Sequence, residues 1–186
     1  MKVLQLGEEL LRQKSEPVTE INDEIRQLTS EMFKIMELSK GAGLAAPQVG
    51  ILKRLFVLIA DDEVPRVFIN PQIIATSSQM CDYEEGCLSI PNVWENISRP
   101  EKVTVQALNE YGKPFTLEAD GLLARIIQHE NDHLDGILYI DRGDPDFKQR
   151  IIEHFQHKIA KKKEKEALKA AKAAKIAAKK AKKQES

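Results

Sequence analysis

The sequence contains little cysteine and no long hydrophobic segment. Only two of its 186 residues are cysteines, Cys81 and Cys87, too few for the disulfide framework of a small secreted protein. No apolar run approaches the ~20 residues that a membrane-spanning helix needs. The first seven residues, MKVLQLG, lack the apolar stretch and the small-residue cleavage site of a signal peptide. We therefore expect a cytoplasmic protein without a membrane partner.

The two cysteines are predicted to have different roles. Five residues separate them, which could close a small disulfide loop, but without an export signal a metal or catalytic role is expected for at least one. Cys87 follows a glycine at the end of a candidate strand, where a thiolate can act as a metal ligand. Nothing around Cys81 indicates a chemical role.

The net charge of −1 conceals a strong asymmetry along the chain. Residues 158–186 contain 12 lysines and 3 glutamates, which leaves 16 of the 28 basic and 26 of the 29 acidic residues in the rest. We therefore divide the chain into a domain at residues 1–157, with net charge −10, and a Lys/Ala-rich tail at residues 158–186, with net charge +9. A basic tail on an acidic body predicts a polyanionic partner for the tail alone.

Hydrophobic spacing predicts an α+β fold of short, mostly antiparallel strands around a central helix, with a basic C-terminal helical extension. Apolar residues recur at helical spacing in residues 22–38, where Asn22 is a candidate N-cap. They recur again in residues 121–134 and after Pro145. The predicted strands cover residues 54–60, 67–70, 73–76, 103–107 and 115–118. Residues 44–50 are predicted to be irregular.

The second predicted helix carries the pattern H-E-x-x-H at residues 129–133. Because His129 and His133 are four apart, they share a helix face and can bind one metal ion. Glu130 lies about 100 degrees round the helix, so its carboxylate can instead take a proton from a water that the metal acidifies. Five apolar residues of the helix leave it little polar surface, which argues against a chance grouping on an exposed helix; they are Leu122, Leu123, Ile126, Ile127 and Leu134.

A catalytic metal site needs a third protein ligand, and spacing alone leaves two candidates. A third histidine six residues after His133 is excluded, because Tyr139 stands there. Glu153, twenty residues after His133, stands where thermolysin-like peptidases have a glutamate ligand, although the residues around it differ from theirs. Cys87 is the other candidate.

Three segments closely resemble, in order, the three motifs of bacterial peptide deformylase. They are GAGLAAPQ at residues 41–48, EGCLS at residues 85–89 and QHENDHL at residues 128–134. The resemblance extends from the N-terminus to about Asp141 and implies hydrolysis of the formyl group of N-terminal formyl-methionine on new polypeptides. It also implies a single ion held by Cys87, His129 and His133, with Glu130 as the acid/base. The ion is Fe²⁺ in most members, with Zn²⁺, Ni²⁺ or Co²⁺ as substitutes.

The resemblance further implies roles in binding the substrate. The side-chain amide of Gln48 and the backbone N–H of Leu88 would stabilise the oxyanion that forms during hydrolysis. The walls of a methionine pocket would include Ala42, Gly43, Tyr83, Leu122, Arg125 and Ile126. Core packing is the alternative for Leu122 and Ile126. The family commonly has a bulkier aliphatic residue than Ala42 at that position, so the resemblance does not fix how tightly the pocket fits methionine, whereas the chemistry it implies is unaffected.

Two other functions are alternatives to this one. A zinc endopeptidase would use Glu153 instead of Cys87 as the third ligand. A non-catalytic ribosome- or RNA-binding protein would act through its tail and would tolerate the loss of Glu130. The expected partners are formyl-methionyl nascent chains and, through the tail, ribosomal RNA, and no DNA partner is expected.

Overall fold

The computed structural model describes residues 1–184, with side chains as far as residue 174. The fold is α+β, as predicted. Its regular elements are α1 (Asp23–Leu38), β1 (Gly43–Ala45), β2 (Leu55–Ile59), β3 (Pro65–Thr76), β4 (Met80–Cys87), β5 (Ile90–Pro100), β6 (Val103–Leu108), β7 (Pro114–Ala119), α2 (Gly121–Leu134) and α3 (Pro145–Gln184). The last two residues of the predicted tail, 185–186, lie outside the described part of the chain.

The strands form two antiparallel sheets. Five of them lie in the order β1-β2-β3-β6-β7, and β4 pairs with β5 in a separate hairpin. The prediction missed β1 and β5, gave β4 no bounds beyond a strand end before Cys87, and divided β3 into two strands. The pairing of β3 with β6 shifts register between Ile69 and Gln72, on either side of Pro71, which has no N–H to donate to a neighbouring strand.

Strand β2, the second strand of the large sheet, is buried on both faces because alternate side chains enter two different cores. Phe56 and Leu58 pack in a core that includes residues of α2. Leu55 and Val57 pack on the other face, in a core that includes residues of α1. The large sheet thus lies between α1 and α2, and its β1 edge contacts α2.

Both helices that flank the sheet follow their predicted bounds closely. The Asn22 side chain accepts a hydrogen bond from the backbone N–H of Ile25 (3.2 Å), which confirms it as the N-cap of α1. Helix α2 begins at Gly121 and is buried along most of its length, including His129, Glu130 and His133. A buried helix holds these side chains in fixed positions.

The chain separates into two compact units, Met1–Lys148 and Gln149–Ser186. The first contains both sheets, α1 and α2. The second consists of the larger part of α3, in which every residue from 160 to 174 is exposed. No helix in the described residues is both long enough and apolar enough to span a membrane.

Candidate active site

Three side chains that could bind a metal meet between the β4–β5 hairpin and α2. The ligand atoms of Cys87, at the end of β4, and of His129 and His133, on successive turns of α2, all lie within 4.8 Å of one another. Cys87 Sγ is 3.3 Å from His133 Nε2. A tetrahedral ion of zinc size would separate a sulfur and a nitrogen ligand by about 3.5 Å. These donors therefore fit a single ion without rearrangement.

A buried carboxylate fixes the orientation of His129. Glu85 Oε2 lies 2.9 Å from His129 Nδ1, and because an ionised carboxylate only accepts hydrogen bonds, Nδ1 carries the proton. His129 Nε2 is therefore the nitrogen that a metal would bind. The prediction gave Glu85 no role, although it lies inside the second motif and its position two residues before Cys87 puts both on one strand face.

The electrostatics of the two imidazoles differ. Burial opposes a charge on His129, but hydrogen bonding to Cys87 and Glu85 outweighs it and holds the pKa of His129 well above its usual range. Burial and the neighbouring His129 hold the pKa of His133 well below its usual range. A proton is therefore held at His129 near the thiol, the position that a cation would take over on binding.

Glu130 points into the same site but is not one of the three clustered ligands. Its Oε2 is buried without a hydrogen-bond partner among the described residues, and burial raises the pKa of Glu130 to about 7. A Cβ at Gly43 would lie 2.3 Å from Glu130 Oε1, so only glycine allows β1 to approach the carboxylate this closely. Such a carboxyl group can both accept and release a proton near neutral pH.

The amide of Gln48 is held beside the thiol. Gln48 Oε1 accepts a hydrogen bond from the backbone N–H of Ala45 (2.8 Å), which leaves the NH₂ group facing the site. Gln48 Nε2 lies 3.2 Å from Ser89 Oγ and 3.5 Å from Cys87 Sγ. Leu88, the other predicted oxyanion donor, follows Cys87 in the turn between β4 and β5. Both residues line the cavity beside the ligand cluster.

A cavity of about 440 Å³ opens onto these groups. It is lined by all six residues predicted to bind substrate, namely Ala42, Gly43, Tyr83, Leu122, Arg125 and Ile126, and by Gln48, Cys87, Leu88, His129 and Glu130. The guanidinium of Arg125 is hydrogen-bonded within the protein, because it donates to Glu85 Oε1 (2.8 Å) and to the carbonyl oxygen of Ile97 (2.8 Å). It also lies over the ring of Tyr83, 5.7 Å from the centroid.

The most extensive feature that the prediction missed is a buried charge network beneath the ligands. Arg99, which is 3% exposed, donates from Nε to Glu85 Oε1 (2.6 Å) and from Nη1 to Asp132 Oδ2 (2.7 Å). Arg142 Nε also donates to Asp132 Oδ2 (2.7 Å). With Arg99, Arg125 and His129 bound to it, Glu85 uses the four hydrogen-bonding positions of its carboxylate. These bonds hold the pKa of Glu85 far below its usual range, although burial alone would raise it.

The alternative third ligand, Glu153, is not a member of the metal-binding group found among the described residues. It lies in α3, where its carboxylate accepts a hydrogen bond from Gln149 Nε2 (2.7 Å). Cys81 and Cys87 are both free thiols.

Comparison with known proteins relates the chain to one family. The family model described as polypeptide deformylase matches residues 1–149. A peptide deformylase of Treponema pallidum is 53% identical over 144 residues, which cover 77% of this chain and 88% of that protein. The peptide deformylase of Synechococcus elongatus in complex with actinonin is 46% identical, with a TM-score of 0.77 over 80% of this chain and 81% of that one. Peptide deformylase 1B of Arabidopsis thaliana is 31% identical, with a TM-score of 0.82 over 87% and 93% of the two chains.

Proposed function

The chain belongs to the polypeptide deformylase family, and on that premise we propose a role in the reaction for each residue of the site. It is a metal-dependent hydrolase that removes the formyl group from the N-terminal formyl-methionine of newly synthesised polypeptides and releases formate. Cys87, His129 and His133 form its metal-binding group. The roles of the surrounding residues, the identity of the metal and the function of the tail are proposals.

A bound metal would supply Lewis acidity, which activates water as a nucleophile at neutral pH and polarises the formyl oxygen. Glu85 keeps His129 in the tautomer whose Nε2 can bind the metal. Cys87 contributes a thiolate, and His133, whose pKa burial depresses, contributes a neutral imidazole. The proposed metal is Fe²⁺, with Zn²⁺, Ni²⁺ or Co²⁺ as substitutes, since thiolate and imidazole ligands suit all of these ions.

Glu130 is proposed as the group that moves the proton. The observation that carries this assignment is a buried carboxylate with one oxygen unpartnered among the described residues, beside the ligand cluster in the cavity. In this role Glu130 takes a proton from the attacking water and gives it to the nitrogen that leaves as the new amine. A pKa raised to about 7 suits both transfers.

Gln48 and Leu88 are proposed to stabilise the negative charge on the formyl oxygen. The Gln48 amide is fixed in advance by Ala45 and Ser89, so it needs no reorganisation as the charge develops. One such donor typically contributes about 3 kcal/mol to the transition state. The six other predicted residues are proposed to hold the methionine side chain, with Ala42 leaving room at the entrance.

We expect protein prepared without oxygen and loaded with Fe²⁺ to release formate from a formyl-methionyl peptide faster than aerated protein. The physical reason is that a thiolate ligand such as Cys87 and a ferrous ion are both open to oxidation. The measurement is metal content and formate release on the same samples, with a Zn²⁺-loaded sample as the matched control. Equal rates from the aerated Zn²⁺ form would exclude a requirement for iron, and no formate from any loaded form would contradict the function itself.

The division into a catalytic domain at residues 1–157 and a basic tail at residues 158–186 is retained as a proposal. The tail is proposed to bind ribosomal RNA, which would hold the enzyme in the cytoplasm close to emerging chains. Its lysines are exposed along α3 as far as residue 174, and one, Lys162, lies 4.0 Å from Glu166. A helix with so many unburied cations can bind phosphates without base specificity.

Removal of residues 160–186 should lower the affinity for ribosomes at low salt and leave turnover of a free formyl-peptide unchanged. The reason is that phosphate binding by lysines releases counterions, so it is strong at ~50 mM salt and weakens steeply as salt rises. Co-sedimentation with ribosomes across a salt series measures this effect. A full-length variant with Lys161, Lys162 and Lys163 changed to Gln separates loss of charge from loss of helix. Equal sedimentation of full-length and truncated protein at ~50 mM salt would exclude the tail as a tether.

A further inference from the structure

The only tryptophan of the chain lies at the mouth of the cavity. Trp94 is 57% exposed and is among the cavity-lining residues. In the β4–β5 hairpin it pairs directly with Gly86, the residue before Cys87. A Cβ at position 86 would lie 2.8 Å from Trp94 Nε1 and 2.9 Å from Cδ1. The absence of a side chain at Gly86 therefore lets one edge of the indole lie directly against the strand that carries a metal ligand.

Two exposed aromatic side chains, Trp94 and Tyr83, line the cavity, and the ring of Tyr83 already lies under the guanidinium of Arg125. Tyr111, which is 68% exposed, lies in the turn between β6 and β7 and does not line the cavity. Trp94 is exposed where it lines the cavity, while Glu85 and Arg99 of the same hairpin are buried beneath the ligands. The indole is thus an apolar surface with one edge packed against protein and the rest left open at the rim.

The length of an extended peptide places later residues of the substrate at this rim. The formyl group must reach the ligand cluster, and each residue of an extended chain advances about 3.3 Å. The second and third residues then lie roughly 7–10 Å farther out. Trp94 lines the same cavity as Cys87 and Glu130, so side chains at those positions can contact its exposed indole where the cavity opens to solvent.

We propose that Trp94 is a specificity-determining residue, whose exposed indole packs against an apolar or aromatic side chain at the second or third position of the formyl-methionyl substrate. This inference rests on the proposed function and extends it beyond the methionine.

The test compares kcat/KM for formyl-Met-Phe-Ala, formyl-Met-Ala-Phe and formyl-Met-Ala-Ala with the metal-loaded, full-length enzyme. One phenylalanine peptide should exceed the alanine peptide by about two- to tenfold, the range of aromatic pair interactions. Trp94→Ala should bring that ratio close to one, Trp94→Phe should retain part of it, and Tyr111→Ala should leave it unchanged. A wild-type ratio near one, or a ratio that persists in Trp94→Ala, would overturn the proposal.

Binding can be measured independently of turnover because Trp94 is the only tryptophan. Its emission should shift to shorter wavelength when the deformylated product peptides with phenylalanine are added, and less so with Met-Ala-Ala. If no formyl-peptide were hydrolysed by any loaded form, the proposed function would fail, and this titration alone would decide the role of Trp94. Equal responses to all three products would contradict that role.

Discussion

Replacement of Glu130 by Gln should abolish nearly all formate release while the protein keeps its fold and its metal. The substitution preserves the shape of a side chain that is 4% exposed but removes its capacity to accept a proton. General acid/base groups contribute about 10²–10⁴-fold to rate, so a loss of at least a hundredfold in kcat is expected. Formate release at saturating peptide and metal content per chain are the two measurements.

The outcome for Glu130 depends on the metal staying in place. Its carboxylate lies outside the group of Cys87, His129 and His133, so Glu130→Gln should bind metal in the same ratio as wild type. Glu118→Gln, the same change at an exposed residue of β7, is the control and should be fully active. A Glu130→Gln enzyme that kept more than about a tenth of the wild-type rate would remove Glu130 from the proton-transfer role.

The metal-binding helix could be predicted because two independent patterns coincide in it. Apolar residues at helical spacing predicted residues 121–134, which are the bounds of α2, and the H-E-x-x-H spacing put both histidines on one face of it. The third metal ligand could not be predicted in this way. The sequence alone left Glu153 and Cys87 open, since strand β4 and helix α2 meet only through tertiary structure.

The β4–β5 hairpin escaped prediction because its inward face is charged. A strand of an antiparallel sheet is recognised by apolar residues alternating with polar ones, but here the buried positions include Glu85 and Arg99. These residues are buried together because they neutralise each other, a pairing between two strands that the order of residues does not reveal. The prediction divided the long strand β3 into two because a proline usually ends a strand. In the structure Pro71 instead lies at an irregularity in the pairing of β3 with β6, and the strand continues past it.

The same buried charges lead to the largest expected effect on stability. Arg99→Met keeps a long apolar stem but removes the guanidinium that joins Glu85, on β4, to Asp132, on α2. Each carboxylate would then have fewer cations to offset its burial. Removing one partner of a buried ion pair typically costs about 3–5 kcal/mol, so the free energy of unfolding should fall by about that amount. Urea denaturation of the metal-free protein measures the loss without a contribution from bound metal.

Arg142→Met is the matched control, because Arg142 also binds Asp132 but has a side chain that is 43% exposed. Water can replace a partly exposed guanidinium, so this variant should lose about 1 kcal/mol or less. Arg99→Met should also bind metal more weakly, by about 10–100-fold, since Glu85 would no longer be held in position against His129. Equal losses of stability in the two variants would mean that burial of Arg99 is not what makes its ion pairs strong. An Arg99→Met protein as stable as wild type would mean that Arg125 and Arg142 suffice to hold both carboxylates.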